Sequence, residues 1–131
     1  MFKIDDSDKT TIKCTRGDKG NIFITKKKKS DGSIEPFYKD DIVIFTVKNN
    51  FGDSEAVLRK EIKVEEDCNT IKIPLSKEDT TIGDLIASPV KYQYEVSINN
   101  DLTILGYDEK GPKIFQLYPE GSNDEWLKII M

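Results

Sequence analysis

A strict alternation of apolar and polar residues over residues 90–99 limits what this chain can fold into more than any other feature. Five apolar residues share one face, namely Val90, Tyr92, Tyr94, Val96 and Ile98, and the residues between them are polar or charged. A period of two is typical of a β-strand that packs one face on a core and turns the other to water. The alternation therefore predicts an antiparallel sheet.

Seven further segments have the composition or the alternation of short strands. They are residues 9–15, 21–27, 41–48, 58–64, 70–75, 102–107 and 113–118. Residues 41–48 are apolar on both faces, which predicts a strand covered on both sides for part of its length. Pro74 cannot donate a hydrogen bond to a neighbouring strand, so residues 70–75 are expected either at a sheet edge or with position 74 unpaired. Segments rich in glycine, asparagine and aspartate separate the strands and predict turns.

One segment interrupts the β pattern near residues 76–86. Ser76 followed by Asp79 resembles a helix N-cap, and Gly83 argues against a long helix, so we expect one short helical turn. About eight short strands with regular turn signals predict an all-β fold, an antiparallel β-sandwich of immunoglobulin-like or jelly-roll-like type. A closed barrel is the alternative.

The length of 131 residues suits a single domain. We expect the β-sandwich to occupy residues 1–118 and residues 119–131 to form a C-terminal tail. The tail is either a strand or turn docked on the domain or an arm that packs on a neighbouring subunit. Its apolar residues are the interface candidates Trp126, Leu127, Ile129 and Ile130.

Composition argues against most catalytic and metal chemistry. The chain has no histidine, which removes the usual serine and cysteine catalytic arrangements and histidine ligation of zinc. Cys14 and Cys68 lack the short spacing of metal ligands, and the acidic clusters lack an ordered calcium-loop spacing. We therefore expect no catalytic residue, cofactor or metal, although an enzyme based only on carboxylates or lysines stays open.

Charge and hydropathy bear on partners and location. The net charge of -4 argues against a nucleic-acid partner, and the basic run Lys26 to Lys29 is interpreted as a solvated strand end beside a turn. No apolar run approaches the ~20 residues of a membrane span, and no signal peptide is recognised. These features predict synthesis in the bacterial cytoplasm and no membrane contact.

Two local patterns allow a functional and a structural interpretation. Arg16-Gly17-Asp18 has the sequence of a cell-adhesion tripeptide but is favoured as a turn. Tyr92 and Tyr94 have the spacing of a sugar-stacking platform but are favoured as core residues.

The order of several segments resembles small β-sandwich domains of phage or prophage tail and baseplate proteins of Gram-positive bacteria, notably the N-terminal domain of upper baseplate proteins. The resemblance covers roughly residues 10–118. It is carried by Arg16-Gly17-Asp18, Ile22-Phe23-Ile24-Thr25, Asp31-Gly32, Tyr38, Asp40-Asp41, Ile44-Phe45-Thr46-Val47-Lys48, Ile71-Lys72-Ile73-Pro74-Leu75, Glu78-Asp79-Thr80, Lys91-Tyr92-Gln93-Tyr94-Glu95-Val96 and Thr103-Ile104-Leu105-Gly106. The chain departs from the family after Gly106, where residues 107–112 lengthen a connection.

The resemblance implies a non-enzymatic assembly module that is built into a virion, forms a homo-oligomer and contacts other tail or baseplate proteins. The alternative is a carbohydrate-binding module or accessory adhesin that recognises cell-surface glycans through exposed aromatic residues.

Overall fold

The computed structural model describes residues 1–28 and 30–120, and the fold within them is all-β, as predicted. It contains ten strands and a single helical turn. They are β1 (Phe2–Ile4), β2 (Ile12–Thr15), β3 (Gly20–Lys27), β4 (Ile34–Glu35), β5 (Ile42–Lys48), β6 (Leu58–Lys63), β7 (Thr70–Leu75), α1 (Lys77–Thr80), β8 (Val90–Ile98), β9 (Leu102–Leu105) and β10 (Lys113–Tyr118).

The strands form two sheets. A seven-stranded sheet has the order β1-β2-β10-β8-β5-β6, with β9 also paired to β8, and it curls like half a barrel. A three-stranded sheet has the order β4-β3-β7. The prediction of purely antiparallel pairing was wrong in one place, because β2 runs parallel to β10, with Cys14 beside Leu117. The short strands β1 and β4 were not predicted.

One hydrophobic core joins the two sheets. Phe45 of β5 lies at its centre, with its ring centroid 5.5 Å from that of Tyr94 and 6.4 Å from that of Phe115. Ile73 and Leu75 of β7 belong to the same cluster. Val43 to Phe45 are buried on both faces, which confirms the prediction for this strand.

Pro74 and Gly20 are consistent with the positions of their strands in the small sheet. Within the described part, β7 pairs only with β3, so Pro74 lies in an edge strand as predicted. Gly20 at the start of β3 lies under the ring of Phe2, and a Cβ atom there would overlap that ring. This close approach fixes β1 against the start of β3.

The expected helical turn is α1, and it is shorter than residues 76–86. Ser76 and Asp79 form a full capping box, in which each side chain accepts a hydrogen bond from the other residue's backbone N–H. Lys60 of β6 lies 2.9 Å from the Asp79 carboxylate, which explains a lysine on the apolar side of that strand. Burial of Asp79 opposes its ionisation, but the bonds from Ser76 and Lys60 outweigh it and lower its pKa.

Candidate functional site

A concave surface with exposed apolar lining lies between β3 and β9. We call it the β3–β9 cleft, and its volume is about 450 Å³. It is lined by Ile4, Lys9, Thr10, Ile22, Phe23, Ile24, Thr25, Lys26, Lys27, Lys28, Glu35, Tyr94, Leu102, Thr103, Ile104 and Leu105. The run of consecutive residues from each strand shows that the cleft follows the edges of β3 and β9.

Strand β3 supplies one wall. Ile22 points into the core, whereas Phe23, on the opposite face of the strand, is 64% exposed. Residues 20–25 pair with β7, and no other strand of the described chain pairs with them. One edge of β3 therefore presents backbone N–H and C=O groups without a strand partner.

Strand β9 supplies the opposite wall. It follows β8 through a tight turn at Asn99 and Asn100, which both have positive φ (54° and 59°), the backbone conformation of a type I′ hairpin turn. Leu102 pairs with Ile98 of β8 and is 57% exposed. Among the described residues, β9 has no strand partner besides β8.

The cleft is open because β9 and β10 share one edge of β8. Lys113 of β10 pairs with Tyr94, and Leu105 of β9 pairs with Val96, so residues 106–112 form an excursion between two nearly adjacent pairing positions. Strand β10 is covered by β2, and β2 by β1. That series of strands does not continue over β9, whose outer edge faces the cleft.

Charge distinguishes the cleft from the rest of the molecule. Four lysines and a single carboxylate, Glu35, line it, although the chain as a whole has a net charge of -4. Lys26 lies 5.0 Å from the centroid of the Phe37 ring, a cation–π distance. Over residues 1–28 and 30–120, no carboxylate forms an ion pair with Lys9, Lys26, Lys27 or Lys28.

Tyr94 closes the inner end of the cleft and belongs to the core. It is 2% exposed and Tyr92 is 7% exposed, which confirms the interpretation of both as core residues. The Tyr94 hydroxyl donates a hydrogen bond to the backbone carbonyl of Thr10. Burial, and to a lesser extent the negative charge of Asp8, raise the pKa of Tyr94, so it is a neutral donor at physiological pH.

Arg16 of the adhesion-like tripeptide points inward. Its guanidinium donates to the backbone carbonyls of Ile82 (3.1 Å) and Gly83 and pairs with Glu120. The side chain is 9% exposed. It therefore ties the β2–β3 turn to the segment after α1 and to the first residues of the tail, and it is not displayed for a receptor.

The acidic cluster near the N-terminus stabilises a turn. Asp8 accepts hydrogen bonds from the backbone N–H groups of Thr10 and Thr11, both at 2.9 Å. The ion pair with Lys13, together with hydrogen bonds from Ser7, lowers the pKa of Asp5. In the part of the chain that the structure describes, no group of three or more histidine, cysteine or acidic residues is placed to hold a metal.

The cysteines are both free thiols. Cys14 is buried in β2, and burial, reinforced by the nearby Asp18 carboxylate, raises its pKa to about 11. A thiol with such a pKa is a poor nucleophile at neutral pH.

The predicted interface residues Trp126, Leu127, Ile129 and Ile130 lie outside the described residues, so that prediction stays untested. Sequence reasoning missed the cleft. The signal was present in β3, because Phe23 lies on the otherwise polar face of the strand and the lysines follow directly. No helix in the described chain is long and apolar enough to span a bilayer.

Comparison with known proteins adds no relative. The family models, the curated proteins and the solved structures that were searched contain no match to this chain.

Proposed function

We propose that the chain is a non-enzymatic assembly module of a phage or prophage tail or baseplate particle and that it contacts neighbouring proteins through the β3–β9 cleft. The observation that supports this proposal is the cleft itself, in which two strand edges and exposed apolar side chains meet lysines that form no ion pair within the described residues. Open edges with apolar surface are typical of protein–protein contacts. The assignment to a tail particle rests on the resemblance in segment order.

The strand order supports the finer fold assignment, an immunoglobulin-like β-sandwich. In that fold the C, F and G strands form one sheet, and the B and E strands belong to the other. Here β5, β8 and β10 are neighbours in the large sheet and take the places of C, F and G, while β3 and β7 pair in the small sheet like B and E. Such a domain is a rigid support for a contact surface.

The experiment is to induce prophages in cells that carry the gene, purify particles on a density gradient and quantify the chain by mass spectrometry. The protein would carry a photoreactive benzoylphenylalanine in place of Phe23, or in place of Tyr38 as control. Tyr38 is 54% exposed and lies outside the cleft. We expect stoichiometric incorporation and cross-links to another particle protein from position 23. A chain that is expressed but absent from particles would refute the proposal.

A second candidate function is glycan binding, and one observation favours it. Tyr107 is 64% exposed and its ring packs edge-on against Phe51, with 5.4 Å between centroids. This pair lies on end loops, where sandwich domains present ligand contacts. Binding to cell-wall glycans that is lost in Tyr107→Ala would support this function, and a flat response across a glycan array would exclude it.

A further inference from the structure

The two strand edges of the β3–β9 cleft are open to the same occupant. Each strand contributes a run of consecutive residues to the lining. Within the described chain β9 pairs only with β8, and residues 20–25 of β3 pair only with β7, whereas Lys26 and Lys27 also pair with β4. An extended peptide placed in the cleft would find backbone donors and acceptors at the spacing of a sheet. Strand addition of this kind draws affinity from main-chain hydrogen bonds and specificity from alternate side chains.

The side chains define what kind of strand fits. Ile4, Phe23 and Leu102 are 40%, 64% and 57% exposed, so apolar side chains of an occupant would bury them. Three of the four lysines lie at the end of β3 and just after it, and Lys9 lies between β1 and β2. Because a single carboxylate offsets them, an occupant with acidic side chains gains electrostatic complementarity.

We propose that the β3–β9 cleft binds an extended segment of a partner protein in which acidic residues alternate with apolar ones, and that this segment adds as a strand along β3. The inference rests on the proposed function, since it specifies the partner that the assembly contact recognises.

The apolar lining favours a protein strand over a nucleic acid. Single-stranded nucleic acids bind along basic grooves in which aromatic rings stack on successive bases. Phe23 is the only exposed aromatic side chain in the described lining. The open strand edges match a peptide backbone, which a nucleic acid lacks.

The test uses the full chain and three fluorescein-labelled ten-residue peptides in an anisotropy titration. The first peptide alternates glutamate and valine, and the second alternates lysine and valine. The third has the first sequence with every second backbone amide N-methylated, which blocks hydrogen bonding along one edge. We expect the first to bind and the other two to bind at least about tenfold more weakly.

A matched pair of double variants locates the binding. Lys27→Glu with Lys28→Glu reverses two exposed charges of the cleft, and Lys91→Glu with Lys110→Glu reverses two exposed charges elsewhere. The cleft variant is expected to weaken the acidic peptide about tenfold, because each reversal replaces an attraction by a repulsion. The control variant should change binding less than about twofold, since its charges are remote and screened.

Several outcomes would overturn the inference: no binding of the acidic peptide, equal binding of the lysine or N-methylated peptide, equal effects of the two double variants, or tighter binding of a ten-nucleotide oligothymidine. These outcomes are separate from the fate of the proposed function. If position 23 cross-links within particles but any of these outcomes is found, the assembly function is supported and binding of an acidic strand is refuted. If the chain binds the acidic peptide selectively but is absent from particles, the peptide site is supported and the assembly function is refuted.

Discussion

Replacing Arg16 by methionine tests whether this buried cation holds three parts of the fold together. Methionine keeps the length and the apolar packing of the stem but removes the guanidinium. The change leaves the carbonyl of Ile82, a residue that is 5% exposed, without its donor. An unpaired buried acceptor that has lost a charged donor costs about 1–3 kcal/mol.

The hydrogen bond from Arg16 to Gly83 and the ion pair with Glu120 contribute less to the free energy of unfolding. Gly83 is exposed, so water can replace the lost donor to its carbonyl. Glu120 is 40% exposed, and solvent screening reduces its ion pair with Arg16 to about 1 kcal/mol or less. The total is about 1–4 kcal/mol, a large share of the roughly 5–15 kcal/mol by which domains of this size are stable. At about 3–4 °C per kcal/mol, the melting temperature should fall by about 3–16 °C.

The measurement is urea and thermal unfolding followed by circular dichroism, with Arg59→Met as the matched control. Arg59 also pairs with a carboxylate, that of Glu61 at 2.9 Å, but both side chains are about half exposed (49% and 51%). Loss of this exposed ion pair should lower the free energy of unfolding by about 0.5 kcal/mol or less. Arg16→Lys retains a charged donor and should lie between wild type and Arg16→Met. If Arg16→Met and Arg59→Met lower the free energy of unfolding equally, the buried-link argument is wrong.

Three further predictions concern titration, thiol reactivity and packing. The pKa of Asp79 is lower in the folded than in the unfolded state. Its contribution to stability is therefore present above the unfolded pKa near 3.8 and is lost as the pH falls through the folded pKa. At pH values below about 4 the melting temperature should decrease, and this decrease should be shallower in Asp79→Asn. Ellman's reagent at pH 8 should label Cys68 in the native protein but Cys14 only after unfolding; rapid native labelling of both would contradict the burial of Cys14. Gly20→Ala should destabilise the fold by about 1–3 kcal/mol through overlap with the Phe2 ring, and the cost should shrink in a Phe2→Ala background; equal costs in both would exclude this contact as the cause.

The sequence predicts the strands well where alternation is strict or turns are strong. The bounds of β7 and β10 match the predicted residues 70–75 and 113–118, and the capping-box pattern locates α1 because it is a local hydrogen-bond arrangement. Strands β1 and β4 were missed since each has three residues or fewer and little buried surface. Local periodicity carries no signal for so short an edge strand.

The sequence predicts less well which strands pair with each other. The parallel contact between β2 and β10 joins segments about a hundred residues apart, and alternation says which face is buried but not which strand lies alongside. The cleft depends on that information. Phe23 becomes a site residue only when β9 is known to lie opposite it. For the same reason Lys26, Lys27 and Lys28, which were interpreted from the sequence as part of a solvated strand end, become a charged rim of the cleft.

The lysines of the cleft have two physical consequences that act in the same direction. A strand edge with exposed apolar residues invites pairing with another copy, and edge lysines are a common protection against it. Two copies that met cleft to cleft would bring four lysines against four, and the single Glu35 of each could not neutralise them. The lysines that repel the cleft of a second copy would attract an acidic strand. In the proposed assembly function, the same residues would disfavour a cleft-to-cleft dimer and favour the acidic strand.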